Sequence, residues 1–140
     1  MGAEENKALV RKLLEATWKN RDWATVNNLV MPNATTHGPF TEQISPGPEG
    51  AKAFASIFLD AFPDVTYTID KEEVDGDLVK TWITYTGTNT GSLMGNPPTG
   101  KRVTTPVMAT NRIMNGKIAE SWAEWDTEAF MRQLGMSASA

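Results

Sequence analysis

Residues 51–70 read AKAFASIFLDAFPDVTYTID, and the fold class turns on the middle of that stretch. Ala51, Phe54, Ala55, Phe58, Ala61 and Phe62 recur at three- and four-residue steps, which is the apolar stripe of an α-helix. Pro63 has no N–H to give and ends it. Beyond it Val65, Tyr67 and Ile69 alternate with Thr66, Thr68 and Asp70, the two-residue period of a strand with one wet face.

Upstream the pattern is helical. Leu9, Val10, Leu13, Leu14, Thr17 and Trp18 predict a helix from about Glu5 to Asn20. Asp22 is placed to cap a short second helix, Trp23 to about Val30, with Val26 and Leu29 facing inward. Met31 to Pro48, rich in Pro and Gly, is expected to be a long loop carrying His37 and Phe40. Pro48 suits the first turn of the third helix.

Downstream the pattern is extended. Asp75-Gly76-Asp77 predicts a turn, and strands are expected at 78–90, 102–114 and 117–125. Asn115-Gly116 is a two-residue hairpin signal, and Gly91 to Gly100 is a Gly/Pro loop. Phe130 and Leu134, one turn apart, mark a closing helix. Helices followed by a meander predict an α+β domain, a strongly curved, mostly antiparallel sheet packed against three N-terminal helices. One domain is expected over residues 1–140, with 136–140 fraying.

Composition removes several function classes. The chain has 140 residues, 40% hydrophobic and 21% charged, with a formal net charge of −4. That balance lacks the clustered basic face of a nucleic-acid binder. With no cysteine and one histidine, a thiolate or histidine-rich metal site is excluded. No leader pattern or membrane-length apolar run is present, so a cytoplasmic, non-membrane protein is expected. Motifs for dinucleotide, phosphate-loop, zinc-protease or serine-hydrolase chemistry are missing, and no cofactor is expected.

Several strings carry a resemblance. Gly91-Ser92-Leu93-Met94-Gly95-Asn96-Pro97-Pro98-Thr99-Gly100-Lys101-Arg102-Val103 resembles the G-x-[FL]-x-G-x-P-P-T-G-[KR]-x-V loop of the SnoaL-like polyketide cyclase and ester cyclase family, within the nuclear-transport-factor-two-like superfamily. Asn115 to Trp122 resembles that family's D/N-G-[KR]-I-x-E-x-W hairpin. Trp125-Asp126 with Gln133-Leu134-Gly135, Gly47-Pro48-Glu49-Gly50 and Phe62-Pro63-Asp64 match in order. The resemblance implies a cone-shaped α+β barrel with a deep hydrophobic pocket and a homodimer. It also implies a small apolar or polyketide-like substrate, with ring closure by intramolecular aldol chemistry that needs no metal or cofactor.

Asp126 matches the aspartate that such cyclases use as acid and base. A carboxyl in an apolar pocket can remove a proton beside a carbonyl and return it to the alkoxide. The same residue stands one position before the last helix, where it would cap the backbone N–H groups. His37 is a second candidate, a loop histidine able to shuttle protons or bond a carbonyl. Arg112 lies on the strand where these cyclases carry a histidine, and it cannot act as a base. With regular pairing around Asn115-Gly116, Arg112 opposes Ala119 and shares a face with Ser121, Ala123 and Trp125. Trp122 and Glu124 then lie on the other face, unless a bulge intervenes. Trp18, Phe40, Phe54, Phe58, Trp82, Val107, Trp122 and Glu124 are the expected pocket residues. Three functions stay open: a cofactor-free cyclase, isomerase or hydratase; a non-catalytic binding module for an apolar ligand; and a dimeric interaction protein.

Overall fold

The computed structural model describes residues 2–41 and 44–136, so residues 137–140 of the expected tail lie outside the described residues. Helix α1 (Ala3–Leu14) runs into one π-helical turn, Glu15–Lys19. Asp22 caps α2 (Trp23–Leu29): Thr25 donates its N–H to Oδ1 (3.2 Å) and its hydroxyl to Oδ2 (2.6 Å). Those bonds stabilise the carboxylate, the hydroxyl bond most, and hold its pKa below the usual range.

The chain then departs from expectation. Val30–His37 is a strand, β1, and it pairs in parallel with the last strand. The expected loop shrinks to the residues between His37 and α3 (Gly47–Ala61). Sequence patterning misses β1 because only Val30 and Ala34 are buried in it, four residues apart, and Pro32 interrupts it. Its register also jumps, from Val30 opposite Ile118 to Thr35 opposite Glu120.

The remaining strands are β2 (Thr66–Asp75), β3 (Leu78–Thr88), β4 (Arg102–Met114) and β5 (Lys117–Glu124), and α4 (Thr127–Gln133) closes the described chain. Sheet order is β1-β5-β4-β3-β2, antiparallel except for the β1–β5 edge pair. Asn115 (φ 52°) and Gly116 (φ 73°) both take the left-handed conformation that a tight hairpin needs. Bulges at Asp70 on β2 and Ala119 on β5 each leave one residue unopposed, and such bulges bend a strand.

Two apolar clusters form the core. Val10, Leu14, Val26, Val79, Ile83, Ile113 and Ile118 pack α1 and α2 on the sheet. Phe62, Leu93, Val103, Phe130 and Leu134 pack the other end. Asn89, fully buried, ties the Pro-Pro-Thr-Gly loop to that end. Its amide donates to Ala61 O (3.1 Å) and Gly91 O (2.8 Å), and its Oδ1 accepts Thr99 N–H (2.9 Å) and O–H (3.0 Å). All four hydrogen-bonding positions of the side chain are used. At Gly91 a Cβ would lie 1.8 Å from Asp60 O, so only glycine lets this loop rest on the end of α3. Among the described residues no helix is long and apolar enough to cross a membrane.

Candidate functional site

Strand alternation decides which side chains meet the helices. On β3, Val79, Thr81, Ile83, Tyr85 and Gly87 point to the concave side. By register they oppose Asn111, Ala109, Val107, Thr105 and Val103 of β4. On β5 the unopposed Ala119 shifts the phase: Arg112 pairs with Glu120, and Ile113 with Ile118. Ser121 and Ala123 therefore face inward, and Glu120, Trp122 and Glu124 share the outer side with Arg112. The regular pairing of Arg112 with Ala119 expected from the sequence is thus corrected by one bulged residue.

Between this concave face, α1 and α3 lies a cavity of about 180 Å³. Leu13, Leu14, Thr17 and Trp18 of α1 and its π turn form one wall, and Ala51, Phe54, Ala55 and Phe58 of α3 another. Phe58, Phe130 and Trp125 meet at one end, with Trp125 5.7 Å from Phe58 edge-on. No charged residue lines the cavity among the described residues. The polar side chains among its lining residues are those of Thr17, Thr36, Tyr85, Thr86, Thr105, Asn111 and Ser121, beside the indoles of Trp18, Trp122 and Trp125.

Ser121 Oγ donates to Asn111 Oδ1 (2.7 Å), and no described residue bonds the Asn111 amide N–H groups. Thr105 Oγ1 and Trp125 Nε1 are buried with no partner among the described residues. Tyr85 packs edge-on against Trp18 (5.1 Å) and lies 6.2 Å from Tyr67. Burial, and secondarily Tyr67, push the Tyr85 phenol pKa far above its ordinary value, so it keeps its proton. Tyr85 hides in sequence within a Thr-rich run that reads as plain β-propensity. Counting two residues on from the apolar Ile83 would have found it.

The expected site residues separate into groups. Trp18, Phe54, Phe58 and Val107 line the cavity. Phe40 lies against Phe58 (6.1 Å) and Trp125 (5.9 Å), at the aromatic end, with a left-handed backbone (φ 67°). It follows Gly38, where a Cβ would meet Ala123 O at 2.3 Å. Trp82 is a correction: it alternates with Ile83 and lies on the convex face beneath Lys71 Nζ (4.9 Å). Glu124 is another correction, exposed on that face because of the Ala119 bulge. Trp122 borders the cavity, yet its ring stacks on His37 (5.4 Å) and under Arg112 (5.6 Å) on the far side.

His37 is also corrected in place. On β1 it is Thr36 that reaches the cavity, so the next residue points outward. His37 Nε2 lies 2.7 Å from Glu120 Oε2, and Glu120 Oε1 accepts from Arg112 (3.0 Å), whose Nε lies 3.6 Å from Asp77. Asp126 is the N-cap of α4, its Oδ1 accepting Ala129 N–H (2.9 Å). It is exposed and does not line the cavity, although Trp125 before it and Phe130 after it do. The structure therefore does not bring Asp126 and His37 together in the cavity.

The family described as SnoaL-like polyketide cyclase matches residues 8–134. Among characterised proteins, aklanonic acid methyl ester cyclase DnrD of Streptomyces peucetius is 32% identical over 91% of this chain and 88% of its own. Aklanonic acid methyl ester cyclase DauD of Streptomyces sp. strain C5 is also 32% identical, over 91% of this chain and 80% of its own. Among solved structures, IdmH of Streptomyces antibioticus superposes with a TM-score of 0.78 at 30% identity, covering 94% of this chain and 99% of that one.

Proposed function

The chain belongs to the SnoaL-like polyketide cyclase family, and from that premise we propose that it closes a ring in a polyketide-like ketone by intramolecular aldol addition. The observation that carries this reading is the aromatic end of the cavity, where the lining residues Trp125 and Phe130 flank Asp126 in the chain. The Asp126 carboxylate removes a proton from a carbon flanked by carbonyls. The resulting enolate carbon bonds to a ketone carbon of the same molecule, and the alkoxide takes the proton back from the Asp126 carboxyl. Nothing is lost or oxidised, so the step needs no co-reactant. Asp126 Oδ1 is held by the helix and Oδ2 has no described partner, which leaves one oxygen for the proton. His37, on the other face, has no part in the step.

A second reading rests on a specific observation: no carboxylate or imidazole is among the described residues lining the cavity. The protein would then bind an apolar ligand and release it unchanged. Asp126→Asn separates the two, because asparagine caps a helix about as well as aspartate and removes only the base. With aklanonic acid methyl ester as substrate, kcat should fall about 10²- to 10⁴-fold in a variant of unchanged melting temperature. Turnover close to wild type in that variant removes Asp126 from the mechanism. Ester recovered unchanged from the wild-type protein favours the binding module. Family membership also supports a homodimer, which sedimentation velocity tests.

A further inference from the structure

We propose that the Tyr85 hydroxyl is the carbonyl-recognising donor of the cavity, selecting ligands with a neutral ketone or quinone oxygen over hydrocarbons of the same shape and over carboxylates. The proposal rests on the cavity being a ligand site and not on the aldol step.

Tyr85 reaches the cavity from the centre of β3, the second strand from the β2 edge. The phenol lies deep in the molecule, and no described residue accepts its proton. Tyr85 is one of the residues that line the cavity, so a guest seated there meets a phenol with no partner of its own. The edge-on contact with Trp18 and the Tyr67 ring hold the phenol in place, so little freedom is lost when it bonds a ligand. A phenol is protonated, hence a donor, at any pH near neutral, and burial here moves its pKa further up. A carboxylate would enter with no lining cation to meet it, and desolvating an unpaired charge is costly. A ketone oxygen accepts one hydrogen bond and leaves no charge buried. A hydrocarbon leaves the hydroxyl without a partner, which weakens its binding relative to the ketone.

The test uses α-tetralone and tetralin, which share a bicyclic skeleton and differ by a carbonyl against a methylene. Titration followed by tryptophan fluorescence should show the wild-type protein binding the ketone about three- to tenfold more tightly. Tyr85→Phe keeps the ring and should abolish that preference, with tetralin affinity within about twofold of wild type. Isotope-edited infrared spectra should show the bound ketone's C=O stretch lowered in the wild type and restored in Tyr85→Phe. A preference that survives Tyr85→Phe overturns the assignment and leaves the aldol reading standing. If the wild-type protein binds neither probe, the assignment fails together with the cavity as a ligand site. A protein that closes no ring yet shows the Tyr85-dependent preference fails the aldol reading alone.

Discussion

The convex face of the sheet answers its own charges: Glu120 takes a bond from Arg112 and sits against His37, Arg112 reaches toward Asp77, and Lys71 covers Trp82. The cavity on the concave side is lined by no charged side chain among the described residues, and there Thr105 Oγ1, Trp125 Nε1 and the Tyr85 hydroxyl lack partners among those residues. An unpartnered buried polar group costs about 1–3 kcal/mol. Closing every such group from within would give a tighter fold with nothing left for a guest to bond. The outer face takes the first course, and the inner face keeps bonding capacity in reserve.

The largest expected effect comes from adjacent residues on opposite faces. Ile83, 1% exposed, should lose about 3 kcal/mol of stability on Ile83→Ala. Trp82→Ala, which removes a larger side chain from the convex face, should cost less than about half of that. Urea denaturation measures both, and equal losses would break the assignment of faces.

The next effect is one of pH. The folded-state pKa of Tyr85 is raised, so its contribution to stability is full below the ordinary tyrosine value of about 10 and is lost as pH rises toward the raised one. Thermal melts should fall steeply at alkaline pH, and Tyr85→Phe should flatten much of that fall while changing little at pH 7. An unchanged alkaline limb in the variant would mean that the phenol is not buried as described.

Smaller again, Ser121→Ala takes the donor from Asn111 Oδ1 on the inner face and should cost about 1 kcal/mol. The smallest effect belongs to His37→Gln: the pair with Glu120 is half-exposed, so the change should lie within about 0.5 kcal/mol and leave ketone binding unaltered. A marked loss of binding would couple the two faces and erase the contrast between them.

Much of this fold is legible because its signals are local. The Phe54-Phe58-Phe62 stripe, the stop at Pro63, the Asn115-Gly116 hairpin and both aspartate caps depend on residues a few positions apart. β1 is not legible, since its strand state depends on a partner nearly ninety positions away (Val30 with Ile118) and on no pattern of its own. The site suffers from the same limit. Hydrophobicity assigns Trp82 and Trp122 to an interior, but pleat phase decides the matter, and on β5 that phase is reset by a bulge with no distinctive residue. The resemblance singles out Asp126; the cap geometry is equally readable beside it, and the structure shows the cap.

The Ala119 bulge makes the register of β5 into a selector. Were Ala119 taken into the ladder opposite Arg112, with no bulge, Glu120, Trp122 and Glu124 would turn toward the cavity and Ser121 and Ala123 would turn outside. A one-residue slip of register, with no change of sequence, would thus give an uncharged chamber two carboxylates. The interior chemistry of this scaffold can therefore change through the gain or loss of a bulge, a route that comparison of substitutions alone would overlook.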